Sequence, residues 1–163
     1  MKYTSNTLED FNIHDTALVQ FGYQDDECIF IVNSFCVKST CKNNPNDYDM
    51  QVGDGLIRFK GIEFKEMCYK GYKQYNSNHQ ITDVVVDRYI NPFDIDGEIS
   101  NMIDLNPEIY SCDSLDNGDY VLTILCEKEV IQLIVSFNSV AIQWNSFDGK
   151  AWYVKESNHG DMQ

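Results

Sequence analysis

The first place in this chain where residue types suggest a reaction is His14-Asp15, inside FNIHDTALVQF at residues 11–21. An imidazole beside a carboxylate is the start of a hydrolytic metal site, but such a site needs further nitrogen and oxygen ligands around the ion. The other histidines are His79 and His159, the latter among polar neighbours. That inventory favours a structural role, in which Asp15 turns the chain into a strand and His14 hydrogen-bonds nearby backbone. A metal-dependent hydrolase using His14 and Asp15 stands as the alternative. Other chemistries lack parts. Cys36 and Cys41 have no second close pair to complete a tetrahedral zinc set. Cys68 and His79 form the one sequence-near thiol and imidazole, without a third group to orient the base. The GDG at residues 53–55 lacks the lysine and following helix of a phosphate loop. Two oxygen-rich stretches, Asn46, Asp47 and Asp49, then Asp94, Asp96 and Glu98, have the ligand chemistry of a hard cation. Their spacing departs from an EF-hand, because Gly97 follows the second acidic position. No catalytic set, metal or cofactor is expected.

Charge says more about partners. Twelve Lys and Arg against 26 Asp and Glu give a formal charge of -14. Such a surface repels phosphate backbones and anionic lipid, so nucleic acid and membranes are poor partners and a basic protein is a better one. Solubility alone is the plain alternative. The acidic residues Asp25, Asp26, Glu27, Asp47, Asp49, Asp94, Asp96 and Glu98 are the expected interface. One stretch runs the other way: Arg58, Lys60, Lys65, Lys70 and Lys73 are interleaved with Phe64, Tyr69, Tyr72 and Tyr75. Cations among aromatics suit single-stranded nucleic acid or a protein partner, and the surrounding acidity argues against the first. Lys65, Tyr69, Lys70, Tyr72, Lys73 and Tyr75 are therefore the rival interface.

These side chains must be positioned mainly by strands. Residues 16–23 and 28–37 are β-branched and aromatic runs around an acidic turn, a hairpin pattern. Residues 38–49 concentrate Asn, Pro and Asp and form a loop. Residues 55–69 alternate at Ile57, Phe59, Ile62 and Phe64, with the phase slipping at Lys60-Gly61, a bulge or tight turn. A further strand is expected at 83–89, and a short helix between 91 and 107 that starts near Asp94 or Asp96 and stops before Pro107. The last third is a meander, with Asn117-Gly118 marking a hairpin.

The halves match each other. Ile57, Phe59, Ile62 and Phe64 align without a gap on Val135, Phe137, Val140 and Ile142, 78 residues on, and each block follows a hairpin opened by an acidic turn. The expectation is one mainly β domain at 1–157, an antiparallel sandwich or partly open barrel of two related units (about 11–69 and 105–157), with at most one or two short helices and a flexible tail at 158–163. With 163 residues and 43% hydrophobic composition, one core is available. The start, MKYTSNTLED, has no apolar run, and no stretch approaches a membrane span of ~18 apolar residues. A cytoplasmic protein follows as the expectation, its six cysteines reduced.

Phe11, His14 and Asp15, leading into alternating strands and then LIRFKGIEF at 56–64, resemble small β-rich bacterial proteins of uncertain function, some grouped with immunity proteins of polymorphic toxin systems. The likeness covers residues 11–64 and, through the repeat, parts of 114–144. It implies a non-catalytic cytoplasmic protein that binds and neutralises a toxin. In that pattern the His-Asp pair marks a strand entrance. A module binding a small ligand between the two units is the remaining alternative.

Overall fold

Alternating side chains commit most strands to one buried and one open face, and the short turns between them make the pairing antiparallel. The computed structural model describes residues 1–155; the expected tail at 158–163, the last residues of the expected domain and His159 lie outside the described residues. Described are β1 (Tyr3–Ser5), β2 (Phe11–Asn12), β3 (Thr16–Gln24), β4 (Glu27–Val37), β5 (Met50–Lys60), β6 (Glu63–Tyr69), β7 (Tyr72–Tyr75), β8 (Ile81–Val85), β9 (Arg88–Tyr89), α1 (Ile95–Ile103), β10 (Glu108–Ser114), β11 (Tyr120–Cys126), β12 (Glu129–Ser136), β13 (Ser139–Trp144) and β14 (Gly149–Lys150). The fold is mainly β and antiparallel, with one short α-helix and no closed barrel among the described residues.

The main sheet runs β1-β13-β5-β4-β3-β10-β11-β12-β6-β9, with β2 on β4 and β14 on β5, while β7 and β8 form a sheet of their own. Outward from the β3-β10 seam, each side repeats the other: a three-stranded meander, then a strand lent by the opposite half. β5 takes β13 and β12 takes β6. Ile57 pairs with Ile142 and Val135 with Phe64, which are the same pair with the halves exchanged. The strands change sides at Lys60-Gly61 and at Asn138, which meet: the Asn138 N–H donates to the Lys60 carbonyl at 2.9 Å, and Gly61 sits at φ +62°. The equivalent rings of Phe59 and Phe137 lie 5.0 Å apart beside this crossing. The 78-residue offset holds only through β5-β6 and β12-β13. The hairpins before them fall out of register, because residues 38–49 join β4 to β5 whereas Glu127 and Lys128 suffice between β11 and β12.

Phe30, Phe35, Met67, Ile109, Ile131, Leu133 and Trp144 build one core from both halves. The helix adds Ile95, Ile99 and Met102, spaced to share one face, and packs them against β3 and β6. Two expectations need correction. Residues 83–89 are not one strand: β8 ends at Val85, because Asp87 turns to accept the Gly71 N–H at 2.8 Å and to pair with Lys70. His14 does not bond backbone through its ring; its backbone N–H donates to Asn12 Oδ1 at 3.1 Å, and Asp15 makes the turn at φ +59°.

The loop at 38–49 is held from within. Buried Asn44 shares its Nδ2 hydrogens among the carbonyls of Val37 at 3.2 Å, Lys38 at 3.2 Å and Tyr48 at 3.0 Å. Asn44→Ala should lower stability by about 1–3 kcal/mol, since it strands buried acceptors. The measurement is urea unfolding, with a lower midpoint and an unchanged slope.

Candidate binding surfaces

The acidic residues do not form one face. Asp25, at φ +55°, and Asp26 make the two-residue turn between β3 and β4, and Glu27 pairs with Arg58 at 3.2 Å. Asp96, in the first turn of α1, accepts the Tyr23 hydroxyl at 3.0 Å, which brings that turn and the helix start together. Glu98 accepts the Tyr69 hydroxyl at 2.7 Å and lies 3.6 Å from Arg88. Burial, followed by these carboxylate bonds, pushes both tyrosine hydroxyls well above their ordinary range, so both stay protonated donors. Asp47 and Asp49 sit past the other end of β4, roughly 35 Å away by the rise of an 11-residue strand. Asp49 accepts the Ser39 N–H at 2.7 Å and the Tyr153 hydroxyl at 2.8 Å. Burial works to raise its pKa, but the hydrogen bonds outweigh it and hold the carboxyl below its ordinary range. Among the described residues, Asp25, Asp26, Asp47 and Asp94 are exposed and have no side-chain hydrogen bond.

The rival set also divides. Lys65 reaches the buried carboxylate of Asp119 at 2.6 Å, and Tyr69 is bound to Glu98 with Arg88 stacked 3.9 Å over its ring. Lys70, Tyr72, Lys73 and Tyr75 belong to the β7-β8 hairpin and its stem. This hairpin stands clear of the core. From Tyr72 to Asp94, only Asn76 and Ile90 are less than exposed, although Ile81, Val84, Val85, Val86, Tyr89 and Phe93 fall in that run. Cross-strand pairs Tyr72/Val85, Lys73/Val84 and Tyr75/Ile81 leave apolar groups on both faces.

Local bonds shape the hairpin in place of packing. At its tip the Asn76 side-chain oxygen accepts the N–H groups of Asn78 at 2.9 Å and Gln80 at 3.0 Å. At its stem Asp87 clamps Lys70 and Gly71. A Cβ at Gly71 would lie 2.2 Å from the Val85 carbonyl oxygen, so this approach needs glycine. A cleft of about 590 Å³ opens at the stem between Tyr69, Tyr72, Val84, Val85, Val86 and Arg88. The apolar residues of 81–93 were not picked out from sequence. The consecutive Val84, Val85 and Val86 show no period of two, which is equally the pattern of a strand buried on both faces, so the sequence carries no signal of their exposure.

The His14 region is a second concavity, of about 380 Å³, lined by Phe11, Asn12, Ile13, His14 and Lys38 and, across from them, by residues 110–113 of β10. The His14 ring lies 4.4 Å from that of Tyr110 and 6.4 Å from that of Trp152, both exposed. Its Nδ1 is 2.9 Å from Asp15 Oδ2, a close contact without the alignment of a hydrogen bond. Asp113 brings a carboxylate from a distant strand to the same cleft. Among the described residues no group of three or more His, Cys, Asp and Glu is arranged to hold a metal ion. Cys112 is a poor nucleophile: burial, then the Asp113 charge, pushes its thiol up to about 12. Cys68 is buried on β6 while His79 is at the hairpin tip. No helix among the described residues is long and apolar enough to cross a membrane.

Fold and surfaces define an antiparallel β protein whose two halves exchange a strand, with an uncovered hairpin on one side and an aromatic cleft on another. No family model matches the chain, and no curated protein or solved structure matches it.

Proposed function

We propose that this is a non-catalytic binding protein that holds a basic protein partner stoichiometrically, in the manner of an immunity protein that neutralises a toxin in the cytoplasm. The observation that supports the reading most is the β7-β8 hairpin, whose tyrosines, valines and isoleucine have no cover within the described chain. Contiguous exposed apolar surface marks interaction sites, and tyrosine supplies contact area at low entropic cost. The charge of -14 supplies steering toward a cationic surface. Asp25, Asp26 and Asp94 lie near the helix start, beyond Tyr69 and Glu98 at the stem, and extend the contact as a polar rim.

The test is affinity capture from a lysate of the native host at low and moderate salt, with mass spectrometry and a stoichiometry measurement. A basic protein retained one to one, and weakened by added salt, is the expected result. An acidic partner, or retention indifferent to salt, counts against an electrostatically steered binder. No specific partner at either salt removes the support for binding.

A further inference from the structure

The two halves treat the same opening differently. β3 and β10 meet along only two residue pairs, Thr16 with Ile109 and Ala17 with Glu108, prolonged by the Leu18 N–H to the Pro107 carbonyl at 2.9 Å. Beyond this seam each strand continues with one neighbour. The free part of β3 is covered by α1, the element that precedes β10, through the face of Ile95, Ile99 and Met102 and the Tyr23-Asp96 bond. The corresponding cover for β10 is the segment that precedes β3. It offers only two-residue β2 and the turn through His14, and the cleft of about 380 Å³ remains.

That cleft exposes a strand edge. The Leu115 N–H donates to the Asp119 carbonyl at 2.8 Å, so strand alternation turns the backbone of Asp113 and Ser111 toward β11. The N–H and C=O groups of Cys112 and Ser114 then point the other way, to the open side, where no strand pairs with them among the described residues. The rings of Tyr110, His14 and Trp152 are grouped beside this edge, with the Asp113 carboxylate in the wall and Asp15 against His14. The one cation of the lining, Lys38, has its ammonium engaged by the Glu9 carbonyl at 2.9 Å. Aromatic faces beside carboxylates are the chemistry that takes a guanidinium.

We infer that the free edge of β10 accepts an extended, arginine-bearing segment of the partner as an added antiparallel strand, with an arginine side chain over Tyr110 and His14. This rests on the reading that the partner is basic, and it names a second contact remote from the hairpin in sequence. Main-chain bonds give such strand addition its affinity, and side-chain pockets give its specificity.

The probe is a blocked pentapeptide, acetyl-Val-Arg-Thr-Arg-Val-amide, titrated into the ¹⁵N-labelled full chain. Two controls carry glutamate for arginine, or N-methyl groups at alternate amides. The arginine peptide should shift the amide signals of Cys112, Asp113 and Ser114 and the Trp152 indole, and neither control should. Ser114→Pro removes an outward N–H without touching the β11 ladder. It should weaken peptide binding about tenfold with an unchanged thermal midpoint. Tyr110→Ala, at an exposed site, should do the same by removing the stacking face. Shifts confined to the β7-β8 hairpin, equal shifts with the N-methylated peptide, or no shift at all overturn the inference. The hairpin variant Ile81→Lys/Val84→Lys separates the two readings. Peptide binding in the cleft with no protein partner captured leaves the cleft standing and the proposed function without support; the reverse outcome removes the cleft alone.

Discussion

Replacing Ile81 and Val84 together by lysine should remove partner binding while leaving the thermal midpoint of the purified protein where it was. Both side chains are about half exposed, at 53% and 52%, on a hairpin with no buried residue, so the fold gains little from them. Substitutions at such sites usually fall within about 0.5 kcal/mol of neutral. In a complex the same side chains become desolvated anchors, and losing an anchor of this kind costs about 2 kcal/mol or more. Two anchors lost, with two positive charges set against a basic partner, amount to roughly a thousandfold in Kd. Isothermal calorimetry with the captured partner measures it, beside a scanning measurement of the free protein. An unchanged Kd would place the interface elsewhere. A midpoint several degrees lower would show that these residues serve the fold.

Trp144→Ala should produce the largest loss of stability of any single change considered. The indole is fully buried at the end of β13, stacked on Tyr3 at 5.5 Å, edge-on to Phe11 at 5.5 Å and near Phe147 at 6.1 Å. It joins β1, the β2 segment and the chain after β13 into one end of the core. Truncating a buried tryptophan costs about 3–5 kcal/mol, a large part of the 5–15 kcal/mol that holds a domain of this size together. Nε1 has no hydrogen-bond partner among the described residues, so Trp144→Phe loses ring volume only and should be clearly milder. Urea unfolding of both variants measures this, and equal losses would mean that a phenyl ring does not keep the packing that the indole provides.

What could be read from the sequence was what neighbours along the chain decide. The acidic turn before Glu27, the phase slip at Gly61, the helix between Asp94 and Pro107 and the Asn117-Gly118 loop each follow from two to four adjacent residues, and each is present. The strand order was not legible, because the pairing of Ile57 with Ile142 depends on two kinks meeting and on no local signal. Charge had the same limit. Asp94 and Glu98 look alike in sequence, yet one is free and the other is bound between Tyr69 and Arg88. The residues next to His14 suggest only a backbone partner, because its actual neighbours, Tyr110 and Trp152, lie far along the chain. Of the hairpin, Tyr72, Lys73 and Tyr75 stand out in the sequence, but Ile81, Val84 and Val85 do not: they are the types that cores are made of, and only the three-dimensional arrangement shows that no core receives them.

The exchange of β6 and β13 also governs how the protein is made. The first meander leaves the ribosome with β5 complete, but the strand that flanks β5 is Ser139–Trp144, and β6 in turn waits for Glu129–Ser136. The amino-terminal half therefore holds two unsatisfied strands until Glu129–Ser136 and Ser139–Trp144 have been synthesised, at about 5–20 residues per second. Folding dominated by such distant pairings is slow, and the waiting edges of β5 and β6 are the surfaces that chaperones would need to shield during translation.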